Sequence, residues 1–322
     1  MTADPPPGAR ERAVGVVLPR DVRAADLVDL ARRVEALGFD ELWVVEDAGF
    51  RGGVAQAGVV LASTSRLRVG LGILPAAARN PAFTAMEVAT LAELFPGRLD
   101  VGLGHGMPAW MRQVGASTPR PLRLLEEHLS AVRTLLHGRR VDVDGDHVSL
   151  DGFALETPPA VVPRVLAGVR GPRSLAMSGR VADGTVLAEP ASPEYLRAAL
   201  GSIAATGGHR VVAYSLASVD DDPEVARAAV RPALAVVGEP DWAPHVAPLP
   251  FVDDLRALRA TAGGDFAARM PSEWIDHLSV VGTPDRARAA IARLHDSGAT
   301  SVVLVPVGDD PVAAVSRLAG AL

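Results

Sequence analysis

The sequence contains no cysteine. That absence excludes disulfides, thiol nucleophiles, cysteine zinc sites and iron–sulfur clusters together. Lysine is absent as well, so all 32 basic residues are arginine. Without a side-chain primary amine the chain can form no lysine Schiff base, which removes lysine-bound pyridoxal phosphate and lysine-type aldolase chemistry. It also lacks the lysine of a Walker A loop. The 32 arginines stand against 38 acidic residues, a formal charge of −6, and a chain built to grip a phosphate backbone needs the opposite balance. Long apolar runs are missing too. The longest uncharged stretch in the first half, Gly52 to Ser65, is 14 residues, short of the ~20 that span a membrane. The start, Met1 to Arg12, is proline-rich and charged without the apolar centre of a secretory signal. The expectation is a soluble, cytoplasmic protein that contacts neither nucleic acid nor membrane.

What is present is an apolar fraction of 48%, enough for a substantial core. Short Val/Leu runs alternate with helical patterns along the chain. Strands are expected at 14–18, 42–45, 67–73, 99–103, 165–168, 185–188, 210–216 and 301–305. Each is an apolar run with little polar alternation, as in strands covered on both faces. Between them, Leu27, Leu30, Ala31, Val34 and Leu37 recur at helical spacing before Gly38. Asn80-Pro81, Ser192-Pro193 and Thr283-Pro284 pair a capping side chain with proline at the first helical position. A long amphipathic helix is expected over 122–136. One segment breaks the rhythm: 141–150 (VDVDGDHVSL) alternates about Asp144-Gly145, a β-hairpin signature. Residues 223–278 read as irregular and proline-rich, and hold Trp242, His245, Trp274 and His277. Eight β/α units fit a single (β/α)8 barrel over residues 13–322, behind a disordered tail over 1–12. An open doubly wound sheet is disfavoured, because Leu18-Pro19-Arg20-Asp21 after the first strand is no glycine-rich dinucleotide turn.

In such a barrel the active site lies at the C-terminal strand ends. Strand four runs into Gly104-His105-Gly106, and strand five into Gly168-Val169-Arg170-Gly171-Pro172-Arg173-Ser174. Glycines there let backbone amides approach an anion, and a helix opening at Gly171-Pro172 adds unpaired amides and a favourable dipole. Two adjacent loops of this character point to a phosphate site, although glycines also serve tight turns. Strand two ends in Glu46-Asp47, a candidate proton donor or hydrogen-bond acceptor beside a ring cofactor, or a rim carboxylate paired with arginine. His105, between two glycines, is a further candidate. Metal binding is not expected: the eight histidines form no HExxH or similarly spaced pair, and Glu127-His128 sits on a helix whose charged face reads as solvated. No Gly-x-Ser-x-Gly elbow is present.

The segments RRVEALGFDELWVVEDAGF (32–50), LRVGLGILPAAARNPAFTAMEVATLAELFPGRLDVGLGHG (67–106), LAGVRGPRSLAMSGRVADGTVLAE (166–189) and VVGTPDRARAAIARLHDSGATSVVLVP (280–306) jointly resemble the luciferase-like flavin- and deazaflavin-dependent oxidoreductases. The resemblance implies a (β/α)8 fold, a non-proline cis peptide at Gly72-Ile73 supporting the back of the cofactor ring, and a cofactor phosphate on Gly104, His105, Gly106, Gly168, Gly171, Pro172 and Arg173. It implies coenzyme F420 as cofactor, with FMN as the alternative, and catalytic candidates Glu46, Asp47 and His105. Deazaflavin-using relatives carry Asp-His where this chain has Glu46-Asp47, and some carry a carboxylate at the position of Met107. The lysine-dependent sugar-phosphate dehydrogenases of the family are disfavoured as a match. An unidentified small organic substrate and a homodimer complete the expectation. The alternatives are an FMN monooxygenase or reductase using oxygen, a barrel that binds without turnover, and a metal-dependent hydrolase.

Overall fold

The computed structural model describes residues 12–308 and 310–322. Of the tail expected over 1–12 only Arg12 is described, and it donates to Asp296 at 2.8 Å; the remainder lies outside the described residues. Eight parallel strands form β1 (Ala13–Val17), β2 (Glu41–Val44), β3 (Arg68–Pro75), β4 (Leu99–Gly104), β5 (Arg164–Gly168), β6 (Gly184–Leu187), β7 (Arg210–Val219) and β8 (Ser301–Pro306). Each pairs with the next, and β8 pairs with β1, so the sheet closes into a (β/α)8 barrel. The short strand Val280–Gly282 adds to the far end of β7.

The closed sheet follows from strands with no solvent face. β2, β4, β6 and β7 are buried at every position. Alternation of side chains sends one set inward: Val17, Trp43, Leu166, Val186, Val212, Tyr214 and Val303 fill the barrel axis. The other set meets the helices, where Leu30, Val34, Val88, Leu125 and Ile291 complete the outer core. A buried ionic cluster closes the N-terminal end of the barrel. Glu41 accepts from Trp43 Nε1 at 2.8 Å and from Ser301 Oγ at 2.7 Å, and pairs with Arg210. Arg210 lies 3.1 Å from Asp100.

The expected strands are found within a few residues, and the hairpin forms from Val141–Asp144 and Ser149–Phe153. Three expectations are corrected. Residues 223–278 are helical, with Pro223–Val230, Val252–Ala262 and Ser272–Leu278 joined by a 3-10 helix over Arg231–Gly238 and shorter helical turns, and they build a separate core around Leu234, Phe266 and Ile275. An additional helix, Gly53–Ser63, lies in the stretch that drew attention only for its lack of charge. The Glu127-His128 pair is not solvated. Glu127 accepts from the amides of Asp146, His147 and Val148 at 2.8–3.1 Å, tying the hairpin to helix Pro121–Leu136. Burial alone would raise its carboxyl, but those amides and Arg123 hold it below the usual range. His128 is 1% exposed, and burial, helped by the charge of Arg79, pushes its imidazole down to about 4.

Candidate active site at the C-terminal mouth of the barrel

β3 breaks its pairing with β4 between Leu71 and Leu74, and the Gly72–Ile73 peptide there is cis. The backbone at Gly72 runs so close to the barrel interior that a Cβ would overlap the Tyr214 hydroxyl and stand 2.8 Å from Trp43 Cε3. Tyr214 and Trp43 meet edge to face, with centroids 5.8 Å apart. The Tyr214 hydroxyl is buried without a hydrogen-bond partner among the described residues. Burial, reinforced by the charges of Glu189 and Glu41, raises its pKa well above 10, so it remains a donor. Ile73 in turn fills the space left by glycines on the neighbouring strands. A Cβ on Gly168 would overlap its Cγ2, and one on Gly104 would lie 3.0 Å from its Cδ1. Gly104 and Gly168, expected on the cofactor phosphate, therefore have a packing reason to be glycine. Gly106 takes a left-handed turn at φ 70°.

Gly171 differs. It is the N-cap of helix Pro172–Val181, no side chain caps that helix, and a Cβ on Gly171 would meet nothing within 4 Å. The first amides of a helix have no intrahelical acceptor, so those following Pro172 remain available to an anion, with exposed Arg173 beside them. His105 reaches the same place from β4: its Nε2 is 3.5 Å from Ser174 Oγ, and its Nδ1 is buried without a described partner. Burial lowers the His105 pKa against the opposing backbone carbonyl of Pro121, and the nearby Arg170 acts in the same sense as burial. The imidazole is therefore neutral at neutral pH.

The two carboxylates after β2 diverge. Glu46 accepts from the Gly53 amide at 2.6 Å and from Arg79 Nη2 at 2.8 and 2.9 Å. It thus ties helix Gly53–Ser63 to the loop after β3, as in the reading of a rim carboxylate paired with arginine. Asp47 turns to the other side and pairs with Arg20 at 2.7 Å. Both are rim carboxylates satisfied by arginine.

Glu189 stands two residues beyond β6, at a strand end but in no motif that gives it a role. Its carbonyl accepts from Trp242 Nε1 at 2.9 Å, and the next carbonyl, of Pro190, lies 3.0 Å from His245 Nδ1. The 223–278 segment is thereby fastened to the mouth. His245 stacks on Tyr195 at 4.2 Å, and Tyr195 donates to the Arg170 carbonyl at 3.0 Å. The Arg170 guanidinium lies 4.7 Å over Trp242. Burial, with Asp47 adding to it, raises the Glu189 carboxyl against the hydrogen bond from its own amide and the opposing charge of Arg170. A cleft of about 740 Å³ opens at the opposite end of the barrel, lined by Arg133, Asp183 and His209 among others. Its groups are already engaged, Arg133 with Asp183 at 2.7 Å and His209 with Thr185 at 2.8 Å, so the chemistry is read at the mouth. Among the described residues no cluster of three potential metal ligands occurs, and no helix is long and apolar enough to cross a membrane.

The family model of the luciferase-like monooxygenases matches residues 7–301, and the chain belongs to that family. It is 31% identical over 303 residues to a 5,10-methylenetetrahydromethanopterin reductase of Methanolobus tindarius, covering 89% of this chain and 92% of the relative. Among solved structures it resembles the coenzyme F420-dependent tetrahydromethanopterin reductase of Methanopyrus kandleri, with TM-score 0.80 and 23% identity over 96% of this chain and 97% of the other. It also resembles an F420-dependent secondary alcohol dehydrogenase, with TM-score 0.76 and 20% identity over 97% and 98% of the two chains.

Proposed function

We propose that this protein is a coenzyme F420-dependent oxidoreductase that transfers a hydride to or from a small organic substrate. The observation that carries the reading is the pairing of two features across one mouth. On one side, the uncapped helix start at Gly171 faces neutral His105. On the other, the Gly72–Ile73 break stands beside the unpartnered Tyr214 hydroxyl. A planar ring with a phosphorylated tail fits both, since the tail would accept from the amides after Pro172 and the ring would lie against Ile73. The curated reductase at 31% identity supports a reductase in particular, and the F420-dependent structural relatives support F420 over FMN.

When bound, the deazaflavin supplies the carbon that gives or takes the hydride; the protein's own groups bind, orient and exclude water. Trp43, Val186 and Ile73 form an apolar floor. His105, held neutral, contributes hydrogen bonding at the tail without adding charge. Helices of the 223–278 segment wall one side through Trp242 and His245. Phe83, Met86 and Leu94 lie exposed on one face of helix Pro81–Leu94, and Val59 is exposed on the adjoining helix Gly53–Ser63. That apolar surface supports the homodimer as part of the same proposal.

The test is a fluorescence titration of the purified protein with F420 and, separately, with FMN. F420 binding is expected at micromolar concentration or below, with FMN weaker. Gly171→Asp sharpens it. Its side chain has open space and would cap the helix, stabilising it by a few tenths of a kcal/mol or more, while a negative charge stands where the phosphate belongs. F420 affinity should fall at least about tenfold, ~1.4 kcal/mol, without loss of stability. Binding of neither cofactor, or undiminished F420 affinity in Gly171→Asp, would overturn the reading.

A further inference from the structure

We propose that Glu189 is the proton-exchanging group of this site and that the substrate it serves is a carbonyl compound. The inference rests on the cofactor reading above and adds to it the other half of the reaction. Hydride addition to a carbonyl leaves electron density on oxygen, so the site needs a proton donor that is not itself tied down. The acids and bases around the mouth differ in that respect. Glu46 is enclosed by Arg79 and the Gly53 amide, and Asp47 is paired with Arg20. His105 sits with Ser174 at the anion cradle. His245 is 1% exposed, turns Nδ1 to the Pro190 carbonyl, and is pushed down to about 4 by burial. Glu189 remains. Among the described residues its carboxyl forms no ion pair, while Trp242 and His245 fix the backbone on either side of it.

The charged and titratable groups facing it come from every neighbouring strand end: Arg170 after β5, Asp47 after β2 and Tyr214 on β7. Burial and the negative charge of Asp47 outweigh the hydrogen bond from its own amide and the single arginine, and the carboxyl keeps its proton above the ordinary range. Tyr214, a donor with no described partner, serves as a positioning residue.

The step balances as follows. The carbonyl carbon receives a hydride with its electron pair from the reduced deazaflavin, a C–H bond forms, and the C=O π pair moves to oxygen. That oxygen takes the proton of Glu189 as the carboxyl O–H bond breaks. The carbonyl is reduced to an alcohol, the deazaflavin is oxidised, and the carboxylate regains its proton from water. The reverse direction uses the same carboxylate as base.

Two measurements need no turnover. In the first, the protein is treated with a water-soluble carbodiimide at neutral pH with and without F420, and labelled carboxyls are mapped by mass spectrometry. Glu189 should be labelled, and labelling should be lost when F420 is bound. In the second, infrared difference spectra of wild type minus Glu189→Gln are followed with pH. A protonated carboxyl band should persist above about 4.3, the ordinary glutamate value, and Tyr214→Phe should shift it. In turnover with reduced F420 and acetone or cyclohexanone as carbonyl probes, Glu189→Gln should lower kcat at unchanged F420 affinity, with partial recovery in Glu189→Asp. An unlabelled Glu189, labelling that F420 does not block although F420 binds, or a band lost by the ordinary pH would overturn the role of Glu189 and leave the cofactor reading standing. Oxidation of reduced F420 by neither ketone would overturn the carbonyl class. Failure of F420 to bind at all would remove both readings.

Discussion

Substituting Gly72 by alanine tests the geometry at the floor of the site. The backbone there lies outside the left-handed region, so alanine meets no conformational obstacle and the effect is one of space. The added methyl would overlap the Tyr214 hydroxyl, approach Trp43 Cε3 to 2.8 Å and approach Tyr214 Cζ to 3.1 Å. Neither ring has free room, since Trp43 is 0% and Tyr214 5% exposed. Overpacking of this kind costs about 1–3 kcal/mol, and the overlap with a rigid, buried aromatic places Gly72→Ala near the upper end. Tyr214→Phe removes the overlapping atom but leaves the Trp43 contact, so it should recover about half of the loss, a coupling near 1 kcal/mol in a double-mutant cycle. By itself Tyr214→Phe removes a buried hydroxyl without a described partner and should leave stability unchanged or raised. Urea unfolding monitored by circular dichroism measures all four proteins. A Gly72→Ala protein as stable as wild type, or single effects that simply add, would refute the packing argument.

His128 and His245 titrate near 4 when folded, against about 6.5 unfolded. The unfolded chain therefore binds more protons between those values, and stability is present above about pH 6.5 and lost as pH falls toward 4, by on the order of 3 kcal/mol for each histidine. Urea midpoints should fall from pH 7 to 5, and fall about half as far in His128→Gln, where His245 remains; a flat wild-type profile would contradict this. Glu41→Ala strips the buried Arg210 of a partner at 1% exposure and should cost about 3–5 kcal/mol, while F420 affinity per folded molecule stays constant; a loss under 1 kcal/mol would refute the role given to this cluster. Phe83→Glu with Met86→Glu should convert a dimer to monomer in light scattering, and a wild-type monomer would remove the dimer.

The barrel was legible because its strands are buried on both faces and so lack polar alternation, and because Asn80 and Ser192 cap their helices through local bonds at 2.9 and 3.1 Å. Residues 223–278 were illegible for the complementary reason. Their helices are short and interrupted by Pro232, Pro240 and Pro248, and their order comes from a shared core rather than from local propensity. Helix Gly53–Ser63 carries glycine and β-branched residues and little amphipathic pattern. The burial of His128 was within reach: it shares a helical face with Leu125, Leu129 and Val132, the spacing that marked other helices as core-facing. At the site, glycine placement marks His105 and Gly171 as candidates, whereas the surroundings of Glu46 depend on Arg79, 33 residues away. Glu189 and Tyr214 gain their meaning only when β6 and β7 close against β2 and β3. No spacing along the chain announces that.

The most direct measurement of the central claim is the amide spectrum of isotope-labelled protein titrated with F420. The account predicts that the amides of Arg173 and Ser174 move most, together with those of Ile73 and Leu74, and that Glu41 and Ser301 at the far end stay in place. Shifts centred on the cleft lined by Arg133 and His209, with Ser174 unmoved, would contradict it.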